Sequence, residues 1–151
     1  MKIVKGDLIQ MAMEGKFDVI VHGCNCMHTM GAGIAKQVKA KLPEAYDADL
    51  ATRRGDRSKL GAFSSVVVAR GGFAFTVVNA YTQYDWRGMG IKVDYDAVAR
   101  AFNAIAREWH GSRIAYPMIG AGYAGGDWNK ISAIIDEALS GLNHTLVVLE
   151  K

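Results

Sequence analysis

Two glycine-rich stretches carry the residue types best suited to chemistry in this chain. Met30-Gly31-Ala32-Gly33-Ile34-Ala35 comes shortly after the apolar run Val19-Ile20-Val21 and the residues His22-Gly23-Cys24-Asn25. Gly120-Ala121-Gly122-Tyr123-Ala124-Gly125-Gly126 follows Ile114-Ala115-Tyr116-Pro117-Met118-Ile119 and leads into Asp127-Trp128. Glycine lets a backbone come close to a ligand and adopt positive φ. A glycine loop entering a helix presents free N–H groups at the positive end of the helix dipole, which suits phosphate. Four glycines between positions 120 and 126 are more than one tight turn requires. Two such loops predict a diphosphate held between them by backbone amides, with no metal. Neither a Walker loop nor a dinucleotide fingerprint fits. The first is absent, and residues 30–35 lack the third glycine and the later acidic residue of the second.

Other constellations carry a chemical and a structural reading. His22, Cys24, Cys26 and His28 alternate as a zinc set would. In an extended strand that set spans about 20 Å, against ligand distances of ~2.0–2.3 Å, so only a curled loop after Asn25 gathers it. The expectation is a packed Cys24, an exposed His28 and no metal. Asp7, directly after Gly6, suits the cap of a helix starting at Leu8. It equally suits accepting a hydrogen bond from an exocyclic amine such as that of adenine. Arg53, Arg54, Arg57 and Lys59, with Lys36, Lys39 and Lys41 nearby in sequence, form either a nucleic-acid phosphate contact or a solvated face. Few aromatic residues interleave with them, so base stacking has little support. Tyr84 and Trp86 lie in a glycine-containing loop, as a lid over a ligand or as surface packing.

The elements that must position these residues follow from hydrophobic periodicity. Short strands are expected over 2–5, 17–22, 114–118 and 144–149, and a hairpin over 63–70 and 73–81 with Gly71-Gly72 as its turn. Helices are expected over 8–15, 33–41 (ended by Pro43), 44–52 and 93–110, with Asp94 as an N-cap. Asp127 caps a last helix whose Trp128, Ile131, Ile135 and Ala138 face inward. Residues 53–59 and 83–92 read as loops. Alternating strands and helices predict an α/β fold, and the hairpin predicts a mixed sheet.

Composition bounds the function. At 151 residues, half of them hydrophobic, the chain suits one domain (residues 1–151) with a sizeable core. A net charge of +3 is compatible with an anionic ligand without demanding nucleic acid. Two closely spaced cysteines, no secretory signal and no run of ~20 apolar residues predict a cytoplasmic protein with no membrane partner.

Four motifs, in order, resemble the macro domain family, which binds ADP-ribose. Gly6-Asp7-Leu8-Ile9 resembles the family's adenine-binding start. Val21-His22-Gly23-Cys24-Asn25 falls where many members have Val-Asn-Ala-Ala-Asn. Residues 30–35, followed by Pro43-Glu44-Ala45-Tyr46, resemble the first phosphate loop and its helix. Pro117-Met118-Ile119-Gly120-Ala121-Gly122 resembles the second phosphate loop. The resemblance implies a three-layer α/β/α sandwich with a mixed, mostly parallel sheet. It is closest to the branch of ADP-ribose-1″-phosphate phosphatases and glutamate-directed ADP-ribosyl hydrolases. It implies that Asp7 accepts from the adenine amino group and that the Leu8 amide serves the ring. The backbones of Gly31, Ala32, Gly33, Ile34 and Ala35, and of Gly120, Ala121, Gly122, Tyr123, Ala124 and Gly125, would hold the diphosphate. Asn25 would bond to the distal ribose, with Tyr123 close by.

The chain departs from that branch at two positions. The glutamate-directed hydrolases have a lysine at the position of Gln83 and an aspartate at that of Ala124. Glutamine forms no covalent sugar adduct, and alanine is neither acid nor base, so that covalent mechanism is not expected. Binding through backbone groups is unaffected. The expected activity is hydrolysis at the distal ribose of an ADP-ribose derivative. The substrate would be ADP-ribose-1″-phosphate or an ADP-ribosylated protein or nucleic acid, and no cofactor is expected. His22 and Asp127 are the candidate catalytic residues, with Asp85 as another group able to position water; a buried structural role suits His22 at least as well, and capping suits Asp127. A non-catalytic reader of ADP-ribose is the second reading, and a nucleic-acid-binding protein the third.

Overall fold

The structure is a computed structural model that describes residues 1–149. Its centre is a six-stranded sheet built from β1 (Lys2–Lys5), β2 (Val19–Cys24), β3 (Phe63–Arg70), β4 (Phe73–Tyr81), β5 (Ile114–Tyr116) and β6 (His144–Val148). The order is β1-β6-β5-β2-β4-β3. All neighbours are parallel except β3, which runs antiparallel to β4 at the edge. The helices are α1 (Leu8–Met13), α2 (Gly33–Lys41), α3 (Pro43–Leu50), α4 (Tyr95–Glu108) and α5 (Trp128–Ala138).

Strand alternation sends successive side chains to opposite faces, and each face has its own core. Val19 and Val21 of β2 and Val78 and Ala80 of β4 pack with Phe102 and Ile105 of α4 and Ile131 and Ile135 of α5. On the other face, Ile20 and Val77 meet Ile9 and Ala12 of α1, Val38 of α2 and Ala45 of α3. The result is the three-layer α/β/α arrangement. Among the described residues, no helix is long and apolar enough to cross a membrane.

Most expected boundaries hold within a few residues; the corrections have local causes. β2 begins at Val19 and runs through Gly23 to Cys24, because β4 pairs with it along its whole length. The helix expected from Val93 begins at Tyr95, because Asp94 stays extended and accepts the Ala97 N–H. Val93 instead forms an antiparallel bridge with Gln83. The last strand ends at Val148, and β5 stops at Tyr116, just before Pro117. The loop over 53–59 contains a 3₁₀ turn, Arg57–Lys59, capped by Asp56.

One topological relationship decides where a ligand can lie. β2 and β5 are parallel neighbours, with Val19 opposite Ile114 and Ile20 opposite Ala115. The chain leaving β2 reaches α2 on one face, and the chain leaving β5 reaches α5 on the other. Divergent connections from adjacent parallel strands open a crevice at their carboxyl ends.

Candidate functional site

That crevice is a cleft of about 910 Å³ with both glycine loops in its walls. Gly31, Ala32, Gly33, Ile34 and Ala35 form one wall; Gly120, Gly122, Tyr123 and Ala124 form the other. Asn25, Gly23 and Cys24 contribute from the end of β2, and Thr82, Gln83 and Trp86 from beyond β4. Leu149, beyond β6, closes the opposite end. The loops face one another closely: a Cβ placed on Gly33 would lie 3.8 Å from the Tyr123 ring. Gly33 has φ +57° and Gly120 φ +74°, backbone that favours glycine.

The walls are rich in unspent N–H groups. α1, α4 and α5 each begin with an aspartate whose carboxylate accepts a backbone N–H of the first turn. α2 begins at Ala32, which offers no side-chain acceptor. Its first N–H groups, those of Gly33, Ile34 and Ala35, have no capping side chain and belong to residues of the cleft wall, at the positive end of the helix. In the second loop, Gly125 donates to Gly122 and Gly126 to Gly120, while the N–H groups of Gly122, Tyr123 and Ala124 make no backbone bond. Lys92 is the one charged residue, and no aspartate or glutamate occurs, among the described residues lining the cleft. Uncapped helix N–H groups and a lysine thus give the described walls a positive potential.

Asn25 lines the cleft and is 5% exposed. Its side chain donates to the Thr29 carbonyl (2.8 Å) and accepts from the Met27 N–H (2.9 Å). It therefore shapes the loop that carries residues 30–35 as well as facing the cavity. Beneath that loop lies a buried polar network. The Tyr81 hydroxyl donates to Asp49 at 2.7 Å and bonds with Ser64, and Lys59 donates to the Cys26 carbonyl.

The two candidate catalytic residues lie outside the cleft lining. On β2, alternation points His22 to the α1–α3 face, where it is 2% exposed. Its Nε2 is 2.7 Å from Asn79 Oδ1. Asn79 in turn donates to the Ala45 carbonyl and Ser64 Oγ, which fixes its amide orientation and so makes His22 Nε2 the donor. Burial pushes the His22 pKa below its ordinary value, so the ring is neutral near neutral pH. Asp127 is exposed and occupied as the cap of α5, accepting from Asn129. Asp7 likewise accepts from the Gln10 N–H at 3.0 Å. Asp7 and the buried Leu8 adjoin the Leu149 end, because the Gly6 N–H donates to the Val148 carbonyl. Ala121 and Gly125 shape the second loop without lining the cavity. Asp85 is paired with Arg87, whose guanidinium holds its carboxyl down to about 2.

Among the described residues no group of three or more His, Cys, Asp or Glu side chains converges as a metal site. His28 is half-buried rather than exposed, adopts φ +59° and bonds the Thr52 carbonyl at 2.8 Å. Cys24 and Cys26 are buried free thiols, and burial raises the pKa of each.

Comparisons with known proteins agree with this geometry. The family model for the Macro domain matches residues 21–135, and the chain belongs to the macro domain family. An uncharacterised 17.5 kDa protein of Enterobacteria phage T4 is 34% identical, covering 97% of this chain and 94% of that protein. The DNA ADP-ribosyl glycohydrolase of Mycobacterium tuberculosis is 28% identical over 91% of this chain, which spans 38% of that relative's length. The solved macrodomain of Thermus aquaticus DarG superposes with a TM-score of 0.73 at 27% identity, covering 99% of this chain and 97% of that one.

Proposed function

We propose that this protein binds ADP-ribose in the cleft and hydrolyses the bond from C1″ of its distal ribose to an attached group. Nucleic acid is the favoured carrier of that group. The observation that carries the reading is the pair of facing loops. Both leave adjacent parallel strands, both carry N–H groups without a backbone or capping partner, and no aspartate or glutamate is among the described residues lining the cleft between them. The nucleic-acid carrier is supported by the 28% identity to a DNA ADP-ribosyl glycohydrolase. It is supported as well by a basic segment beside the cleft. Arg53 and Arg54 are exposed there, and Arg57 stacks on the Tyr84 ring at 3.9 Å, two residues from Trp86 in the cleft wall.

In this reading the diphosphate bridges α2's first turn and residues 120–124. Adenine lies toward Asp7 and Leu8 at the β6–β1 end, and the distal ribose toward Asn25 and β4. Fixing the sugar against water and stabilising charge at the reacting carbon provide the rate. His22 acts from beneath the floor as a positioning residue, and Asp127 by holding the start of α5.

Calorimetry with ADP-ribose and a substrate panel test this. The panel is ADP-ribosylated single-stranded DNA, ADP-ribosylated protein and ADP-ribose-1″-phosphate. Binding together with release from DNA is the expected result. Release confined to the 1″-phosphate would make the protein a phosphatase, and binding without any release would make it a reader. No heat at millimolar ligand would overturn the binding claim itself.

A further inference from the structure

The segment between β4 and α4 is strapped across the second glycine loop. Gln83 bridges Val93, and the Asp94 N–H donates to the Thr82 carbonyl at 2.8 Å, so the strap closes on its own base. The Lys92 and Val93 N–H groups both donate to the Ala124 carbonyl, at 2.8 and 3.3 Å. The fit leaves no room for a side chain at Gly126: a Cβ there would lie 2.5 Å from Val93 Cγ1 and 2.6 Å from the Gly120 carbonyl oxygen. The backbone of Lys92 is therefore fixed relative to the loop proposed to grip the diphosphate.

Lys92 lines the cleft as the one charged residue among the described lining residues. Nζ donates to the Gly90 carbonyl at 2.9 Å, which leaves two of its three donor positions free. The cleft runs from Leu149, beyond β6, to Gln83, beyond β4. Three inter-strand steps of ~4.8 Å separate those ends, about 14 Å in all. A diphosphate over the middle pair, β5 and β2, places the two halves of the nucleotide sugar over opposite ends. Trp86 belongs to the β4 end, and Lys92, next to the Gln83–Val93 bridge and bonded to Ala124, stands between that end and the second loop.

We propose that Lys92 is the charge-stabilising residue of the hydrolysis: its ammonium donates a hydrogen bond to the atom that leaves C1″. The assignment rests on the ADP-ribose reading above. The bond between C1″ and the leaving atom breaks, and its electron pair goes to the leaving atom. A water oxygen bonds to C1″ and releases one proton to solvent, and the leaving atom gains one proton from solvent. Lys92 remains an ammonium throughout and forms no bond to the sugar. A preorganised donor in a walled cleft is strongest where charge develops in the transition state.

The test compares Lys92→Ala and Lys92→Arg with wild type, measuring kcat on the substrate that wild type turns over and ADP-ribose affinity by calorimetry. Lys92→Ala is expected to lower kcat ~100-fold while changing the ADP-ribose Kd less than about threefold. Lys92→Arg keeps the charge and is expected to retain at least about a tenth of wild-type kcat. Unchanged turnover in Lys92→Ala overturns the assignment. So does Lys92→Arg as inactive as Lys92→Ala, or a borohydride-trapped sugar adduct on Lys92. Wild-type binding without turnover of any substrate overturns the catalytic role and leaves the binding reading standing. Absent wild-type binding removes both.

Discussion

Tyr123 reaches across the mouth of the cleft to Gly33, so that a Cβ on Gly33 would touch its ring at 3.8 Å. The contact joins the start of α2 to the loop after β5, whose helices lie on opposite faces of the sheet. Tyr123 is nevertheless 83% exposed. A ring beside the start of α2 and largely in solvent is free to move aside. The span between the walls is therefore set by residues with little or no side chain of their own, and each becomes a sensitive place to add charge.

Gly122 is the cleanest such place. A Cβ built there meets nothing within 4 Å, so a side chain is tolerated by the fold. Gly122→Glu should fold with an unchanged melting temperature. It should also weaken ADP-ribose binding ~100-fold, about 3 kcal/mol, because a carboxylate then lies within a few ångströms of the diphosphate. Calorimetry and thermal melting on one preparation check both halves. Retained affinity would move the diphosphate away from this loop.

Ala32 offers a prediction in which stability and binding move in opposite directions. Its φ of −148° and ψ of 158° suit an N-cap aspartate, as found at Asp94 and Asp127. Ala32→Asp would satisfy one of α2's orphan N–H groups and place a negative charge at the positive helix end. The free protein should gain about 1 kcal/mol in denaturant unfolding. The same carboxylate should displace the ligand phosphate and abolish ADP-ribose binding at micromolar concentrations. A variant that gains stability and keeps its affinity would show that α2 does not hold the phosphate.

The walls of the cleft were legible in the sequence because closely approaching backbone leaves a glycine signature next to a strand–helix pattern. Gly33 and Gly120 stand out for that reason, as do the capping roles of Asp94 and Asp127, which depend only on neighbours in sequence. Lys92 left no comparable signal. Its place in the cleft comes from the Gln83–Val93 bridge and the Ala124 carbonyl, contacts between segments far apart in sequence. His22 was legible both as a candidate acid–base residue and, equally, as a buried structural one, and the sequence did not decide between the two. The direction of its side chain depends on the register of β2, and its partner Asn79 lies 57 residues away.

Asp18 provides a control far from the carboxyl ends of the strands. Its carboxylate takes both Arg113 Nε (3.0 Å) and an Nη (2.9 Å), tying the entry of β2 to that of β5. Arg113 holds the Asp18 carboxyl below the usual carboxylate range. A lowered pKa in the folded state stabilises above the unfolded value of ~4 and loses that contribution as pH falls further. Both side chains are nearly half exposed, so Asp18→Ala should remove only about 0.5–1 kcal/mol at pH 7. The gap should narrow steadily in urea titrations below pH 4, with ADP-ribose affinity unchanged throughout. A gap that persists undiminished at pH 2.5 would assign the loss to packing instead of charge.

His22 yields the last prediction, because burial and catalysis require different pH behaviour of it. Burial lowers its pKa in the folded state, whereas the unfolded chain titrates near ~6.5. The unfolded state then binds the extra proton first. The stabilising contribution is complete above about pH 6.5 and is lost as pH falls through the folded pKa. Stability should therefore fall as pH drops below about 6.5. Burial lowers the pKa of His144 as well, so wild type alone does not isolate the effect. The difference in pH slope between wild type and His22→Gln does, since His144 is common to both. His22→Gln can still donate to Asn79 and should keep ADP-ribose affinity and most turnover while showing the shallower slope. Parallel slopes would mean that His22 is not the buried neutral ring described here. A kcat lost in His22→Gln at full affinity would return His22 to the chemistry.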